Sequence, residues 1–283
     1  MEKITITFAS PSGGIGKSLL SRETAVAASL TRIKGEPIRT CLVDLNLSNG
    51  SQNTFFKIRP KYNIMDLVHE CNEKEQTMSF SEIDGYFSKW ANIEKYFVFV
   101  QQYNLYILPS PADCEPHDIS FQEMRRIEYY LQIHFDVVVM DTANNCQPVT
   151  LAAIRLANVP VFIVTDEERT VRRVIDLRKR FRDEGSQNRM IAVENQELIQ
   201  RVRLVVNRYP PSRSDRYFSI DEIEQNTYLK SIAVLHEERH SWMLSNLGNL
   251  VILDVDRNPL KREILAMCHK LVPEIEPRTF FSA

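Results

Sequence analysis

The chain is predicted to form a single-domain α/β fold, a mostly parallel, twisted sheet with helices on both faces. Three observations carry that expectation. The loop Pro11-Ser12-Gly13-Gly14-Ile15-Gly16-Lys17-Ser18 lies between an apolar run (Ile4, Ile6, Phe8) and an Ala-rich segment of helical character. A second apolar run, Thr40-Cys41-Leu42-Val43-Asp44, follows at the spacing of a βαβ unit, which implies parallel strands and a right-handed crossover. The run Asp136-Val137-Val138-Val139-Met140-Asp141 is continuous and β-branched, as in strands covered by helices on both faces.

Taken in order, residues 3–9 form the first strand and 17–34 the first helix, with Leu20, Ala27, Ala28 and Leu30 available to face the sheet. Ile64-Met65-Asp66-Leu67-Val68 reads as a short helix after a polar loop. Aromatic residues crowd 80–100 (Phe80, Tyr86, Phe87, Trp90, Tyr96, Phe97, Phe99); they are expected to fill core, and a partner face is the alternative. Leu105-Tyr106-Ile107-Leu108 is a strand stopped by Pro109 and Pro111. A helix over 119–133 shows Phe121, Met124, Ile127, Tyr130 and Leu131 at helical spacing. The rest reads as helix 149–157, strand 159–164, basic helix 168–184, strand 203–207, short strands 231–236 and 250–253, and helix 259–271. No repeat or linker interrupts this pattern, so residues 1–283 are expected to be one domain.

A chain of 283 residues, 43% hydrophobic, can bury a large core. Its net charge of −2 supplies no global positive field, so any nucleic-acid or membrane contact needs a local patch. Five scattered cysteines without a CxxC pair fit a reduced, cytoplasmic protein better than a disulfide scaffold or zinc site. No charged-then-apolar leader is visible and no apolar run approaches ~18 residues, so neither export nor a membrane span is expected.

The glycine loop suits a phosphate. Glycines let backbone N–H groups point into one concavity, and the helix that follows adds its positive dipole end. Lys17 would set an ammonium on the phosphates and the Ser18 hydroxyl would ligate Mg²⁺. A strict Walker A pattern needs glycine where Pro11 stands. The alternative is a plain glycine turn with an incidental lysine, but three of the chain's 8 glycines fall in this one loop. Asp44 and Asp141 each end a strand, at the sheet edge where ligands of parallel sheets bind. Such carboxylates serve a Mg²⁺ shell or the attacking water; helix capping is the plainer alternative.

Together these pieces resemble the MinD/ParA family of deviant Walker A P-loop ATPases. The resemblance is carried by Ile4-Thr5-Ile6-Thr7-Phe8-Ala9-Ser10, the glycine loop, Leu42-Val43-Asp44-Leu45-Asn46-Leu47, Val138-Val139-Met140-Asp141-Thr142, Val205-Val206-Asn207-Arg208 and Ser245-Asn246-Leu247-Gly248-Asn249. Within the family, Leu105-Tyr106-Ile107-Leu108-Pro109-Ser110-Pro111 and the segment following Asp44 are most similar to the CpaE/TadZ branch, which positions pilus machinery at a cell pole. The resemblance implies that Ser12, Gly13, Gly14, Ile15, Gly16, Lys17, Ser18 and Leu19 cradle ATP, and that Asn207 and Arg208 lie at the adenine. It implies Mg²⁺ at Ser18, Asp44 and Asp141, and catalytic roles for Lys17, Asp44 and Asn46. It also implies a homodimer closed over two ATP molecules. Two positions depart from the family: Ser12 stands where the hallmark lysine falls, and Asn46 where the second switch aspartate falls. Slow hydrolysis is therefore expected, because phosphoryl transfer depends on positioned charge.

The expected partners are a second copy and proteins of a pilus or secretion apparatus, in the cytoplasm and at a pole. One alternative is a DNA-partitioning ATPase using the basic helix, with Arg169, Arg172, Arg173 and Arg180 near one face and Arg201, Arg203, Arg208, Arg213 and Arg216 as an extension. Another is a nucleotide-independent scaffold. The last helix stops at Pro273, and Pro277 interrupts the tail before Phe280-Phe281, so no membrane anchor is expected. The histidines form no cluster, so no metal beyond nucleotide-borne Mg²⁺ is expected.

Overall fold

The computed structural model describes residues 2–283 apart from 49, 112–117, 185–188, 213, 215–216, 255–257, 277–279 and 281–283. In chain order the elements are β1 (Ile4–Ala9), α1 (Lys17–Leu30), β2 (Arg32–Ile33), β3 (Glu36–Pro37), β4 (Thr40–Leu45), α2 (Ser51–Phe55), α3 (Ile64–Glu75), α4 (Phe80–Phe87) and α5 (Trp90–Ile93). They continue with β5 (Val98–Val100), β6 (Leu105–Leu108), α6 (Phe121–His134), β7 (Val137–Thr142), α7 (Pro148–Leu156), β8 (Val159–Val164) and α8 (Glu168–Glu184). The chain finishes with α9 (Arg189–Arg201), β9 (Arg203–Tyr209), α10 (Ile220–Thr227), β10 (Ser231–His236), α11 (Arg239–Asn246) and α12 (Pro259–Leu271).

Among the described residues one eight-stranded sheet runs in the order β10-β9-β8-β1-β7-β4-β6-β5, parallel except for the edge pair β5–β6. The strands are short apolar runs, and their period of two sends alternate residues to opposite faces. Ile6, Phe8, Leu42, Val137, Val139 and Val205 pack against α1 and α12 on one face. Val43, Val138 and Met140 meet α3 and α6 on the other, where Phe162, Val164 and Val206 meet α8 and α9. The chain crosses from one half of the sheet to the other at β1, whose neighbours are β7 and β8. That reversal opens a crevice beyond the carboxyl ends of the strands, where ligands of such sheets bind.

The expected strands 3–9, 40–44, 105–108, 136–141, 159–164, 203–207 and 231–236 are all present within a residue or two. Three differences have physical causes. The first helix ends at Leu30 rather than 34, because Lys34 (φ 53°) and Gly35 (φ 90°) form the two-residue turn of the β2–β3 hairpin; Leu30 is left 36% exposed. Residues 251–253 form a 3₁₀ turn, not a strand, because the buried Glu23 carboxylate accepts the Val251 and Ile252 N–H groups at 2.9 and 3.1 Å. Residues 64–68 extend into the 12-residue α3, whose N-cap Asn63 accepts the Met65 N–H at 2.8 Å. Helices α2, α4, α5, α9, α10 and α11 and the edge strand β5 lie outside the sequence reading.

Of the aromatics in 80–100, Phe87 and Tyr96 are buried, and Trp90 stacks on Phe97 at 5.4 Å under the Arg39 guanidinium. Core filling accounts for them, while Phe80 and Phe99 remain exposed. No helix of the described residues is long and apolar enough to cross a membrane.

Candidate phosphate-binding site

The loop after β1 leads straight into α1, and Gly16 is the helix N-cap in a left-handed conformation (φ 97°), with no side chain capping the helix. Gly14 is also left-handed at φ 72°. Among the described residues, the N–H groups of Gly13 through Leu19 donate no hydrogen bond within the chain. A row of unspent donors at a helix N-terminus is an anion cradle. The glycines are also needed for fit. A Cβ on Gly16 would lie 2.3 Å from Asn207 Nδ2, and one on Gly13 2.7 Å from Asn144 Nδ2.

Lys17 opens α1 and is buried; its ammonium donates to the Ser12 carbonyl at 2.8 Å, folding back over the loop. Burial pulls that ammonium down to about 8, against the opposing pull of the Asp141 charge. An arriving anion would favour the charged form and draw it off the carbonyl.

The two strand-end acids stand side by side. Asp44 on β4 is the register partner of Asp141 on β7, and Asp141 in turn faces Phe8 on β1, two residues before the loop. Both are fully buried. Asp44 accepts the backbone N–H of Asn46 and of Gln52, each at 3.0 Å. Asp141 Oδ2 accepts Gln52 Nε2 at 2.7 Å and the Ser51 hydroxyl at 3.3 Å. Burial first, and then the charge of Asp141, push the Asp44 carboxyl up to about 7; burial raises Asp141 as well, opposed by hydrogen bonds from Ser18 and Gln52. Adjacent buried carboxylates of this kind share a proton unless a cation arrives.

That chemistry fits a nucleotide-borne cation. Asp141 Oδ1 is buried without a partner, so one carboxylate oxygen is unspent. No three His, Cys, Asp or Glu side chains among the described residues could hold a metal by themselves. Mg²⁺, which prefers octahedral oxygen ligands and usually needs substrate phosphates, would therefore enter with its nucleotide.

The remaining predicted residues divide. Ser12 is fully buried, so its side chain reaches no neighbouring molecule, and its hydroxyl has no partner. Ile15 and Leu19 turn their side chains into the core and offer the site only backbone. Asn46 is half-buried and contacts Asp44 through its N–H. Asn207 spends its amide nitrogen on the Ile15 carbonyl at 2.7 Å, bracing the loop from β9. Arg208, left-handed at φ 53°, lays its guanidinium 3.7 Å over the Trp242 ring.

The basic helix α8 does expose Arg169, Arg172, Arg173 and Arg180. Of the expected extension, Arg201, Arg203 and Arg208 are among the described residues. Arg203 begins β9 and Arg208 lies near its end, about 16 Å apart at the rise of a strand. Arg201 and Arg203 donate to nearby carbonyls, and Arg213 and Arg216 lie outside the described residues.

Four contributors lie outside the predicted nucleotide-site residues, Arg173 being read from the sequence only as part of the basic helix. Gln52 joins Asp44, Asp141 and the loop; Arg22 stacks over Phe55 at 3.7 Å, donates to the Ser245 hydroxyl, and adds positive charge near Asp141. Trp242 borders the Gly16 turn, and Arg173 donates to the Pro11 carbonyl at 2.6 Å. Only α1's helical period hinted at one of them, since Arg22 lies one turn beyond Ser18.

The loop, the paired acids and the switch-point crevice define the P-loop class of α/β fold. Solved structures agree, and the fold is that of the ParA/MinD ATPases. A ParA family ATPase from Chlorobium tepidum matches with a TM-score of 0.70 at 16% identity, over 94% of this chain and 98% of its own. The septum site-determining protein MinD of Pyrococcus horikoshii, solved with Mg-ADP, matches at 0.67 and 14%, over 96% of each chain. A McdA variant from Cyanothece, solved with ATP, matches at 0.67 and 13%, over 96% of this chain and 97% of its own. No protein-family model matches the sequence, and no curated protein was found similar to it.

Proposed function

We propose that the protein is an ATP-binding dimerisation switch of the ParA/MinD type that positions a cellular assembly and hydrolyses ATP slowly. The observation that carries this reading is the cradle: unspent N–H donors from Gly13 to Leu19, a buried Lys17, and the unpartnered Asp141 Oδ1 across from them. Structural neighbours solved with Mg-ADP and with ATP support the same ligand class. In this reading the loop N–H groups and Lys17 hold the phosphates, and Ser18, Asp44 and Asp141 hold Mg²⁺. Arg208 and Trp242 border the base, with Asn207 beside them. Bound Mg²⁺ would neutralise charge on the phosphates.

Slow turnover follows from two side chains. Ser12 brings no charge and is turned inward, and Asn46 is an amide, a very poor base. The pilus or secretion branch rests on the sequence segments after Asp44 and before Pro111. The test is ATP-dependent dimerisation by light scattering, alongside steady-state phosphate release. The reading expects a dimer with Mg·ATP that is absent with Lys17→Ala, and phosphate release far slower than that of a relative with the hallmark lysine. A monomer under both conditions would contradict it.

One observation favours a second reading, nonspecific DNA binding: the exposed arginines of α8. Arg172 is paired with Glu168 at 2.9 Å, which offsets its charge, while Arg173 donates to the Pro11 carbonyl and keeps its own. Salt-sensitive, ATP-dependent binding to random-sequence DNA would establish it.

A further inference from the structure

The nucleotide reading leaves the fully buried side chain of Gln52 without a role. Gln52 belongs to α2, the short helix between the strand that carries Asp44 and the rest of the 48–100 segment. It is 0% exposed. Its amide nitrogen donates both to Asp141 Oδ2 at 2.7 Å and to the Ser18 carbonyl at 3.1 Å, and its backbone N–H donates to Asp44 Oδ2 at 3.0 Å. One residue thus bonds to the phosphate loop and to both acids.

The amide oxygen is the informative atom. Gln52 Oε1 is buried with no hydrogen-bond partner, and so is Asp141 Oδ1, on a side chain already in contact with it. A leucine or methionine would fill the same space without stranding an acceptor, so packing alone does not explain a glutamine here. Two stranded acceptors in a dry site call for donors between them. The water shell of a divalent cation supplies such donors, and partners outside a metal's ligands orient those ligands.

We propose that Gln52 is a positioning residue for the Mg²⁺ of the nucleotide complex. Its amide nitrogen holds Asp141 by Oδ2 so that Oδ1 is left for the hydrated cation, and its Oε1 accepts from the same water shell. Through Gln52 the cation's presence is felt by α2, whose Phe55 lies under Arg22 and so is linked to Ser245 on α11. The inference rests on the nucleotide reading and deepens it.

The test is a Mg²⁺ titration of the ATP-bound protein in a Trp90→Phe background, followed by Trp242 fluorescence and by amide exchange of residues 51–56, with metal-free ATP affinity in EDTA measured in parallel. Gln52→Ala and the volume-conserving Gln52→Met are both compared with wild type. The expected result is a Mg²⁺ midpoint raised roughly 10- to 100-fold in both variants, with metal-free ATP affinity changed by less than about threefold. Wild type should also show Mg²⁺-dependent protection of 51–56 that both variants lack. Variants that keep the wild-type midpoint, even if less heat-stable, overturn this inference alone. A wild-type protein that binds ATP neither with Mg²⁺ nor in EDTA overturns the nucleotide reading and this inference with it.

Discussion

The two sides of the crevice are built in different ways. The cradle is made by consecutive residues, Gly13 to Leu19, and its working groups are backbone N–H donors set by glycine dihedrals. The opposite lining is made by side chains from separate segments: Gln52 on α2, Asn207 on β9, Arg22 on α1 and Trp242 on α11. A binding surface made of backbone depends on local conformation. One made of side chains depends on the whole fold being in place, and it can change when distant elements move. Substitutions in the cradle should therefore remove binding, while those in the lining should alter stability and the coupling between elements.

The largest effect is expected from Lys17→Ala. Losing a buried ammonium at the cradle should weaken ATP binding by roughly 100-fold or more while leaving thermal stability nearly unchanged, since the lysine's burial is itself unfavourable. Calorimetry with Mg·ATP and a thermal melt check both halves. An unchanged affinity would mean that the cradle is not where ATP sits.

Next comes the buried junction between α1 and residues 251–252, which is probed by pH. Glu23, which caps residues 251–252, is pushed by burial up to about 7 from an ordinary value of 4.5. Between those pH values the folded protein keeps a proton that the unfolded chain releases. The Glu23 contribution to stability should therefore fall as pH rises from about 4.5 to about 7, by up to roughly 3 kcal/mol, and then level off. Urea midpoints of wild type and Glu23→Gln at pH 5 and 7.5 isolate it, and the variant should lose less stability across that interval.

Gly16→Ala joins the two sides. At φ 97°, with Asn207 Nδ2 2.3 Å from the new Cβ, it should cost about 2 kcal/mol and weaken ATP binding by displacing the Asn207 brace. Urea unfolding and ATP titration measure the two losses. Arg22→Met should cost less, about 1 kcal/mol, because the stem still packs while the Phe55 stacking and the Ser245 bond go. If α2 and α11 are coupled through Arg22, amide exchange in residues 51–55 and 239–246 should rise together.

The same contrast explains how much could be read before the structure was known. The cradle, Asp44, Asp141 and the sheet carry local signals: glycines at a strand-to-helix junction, acids ending apolar runs, β-branched strands. Gln52 and Trp242 carry none, because a single residue in a short helix has no spacing to a motif, and Arg22 carries only its place one turn beyond Ser18. Residues 251–253 misled for a related reason. A short apolar run looks alike whether it is a strand or a turn, and the carboxylate that decides the matter is 228 residues away in Glu23. The 17–34 helix was overextended because the Lys34-Gly35 turn sits inside an otherwise helix-compatible stretch.

The central claim is that a triphosphate sits under the Gly13–Leu19 donors with a cation beside Asp141. The most direct measurement is a crystal structure grown with Mg²⁺ and a non-hydrolysable ATP analogue. The account predicts phosphate oxygens within hydrogen-bond distance of the loop N–H groups and of Lys17 Nζ, now released from the Ser12 carbonyl, and a metal between Ser18 and Asp141. An analogue bound elsewhere, with Lys17 still on Ser12, would contradict it.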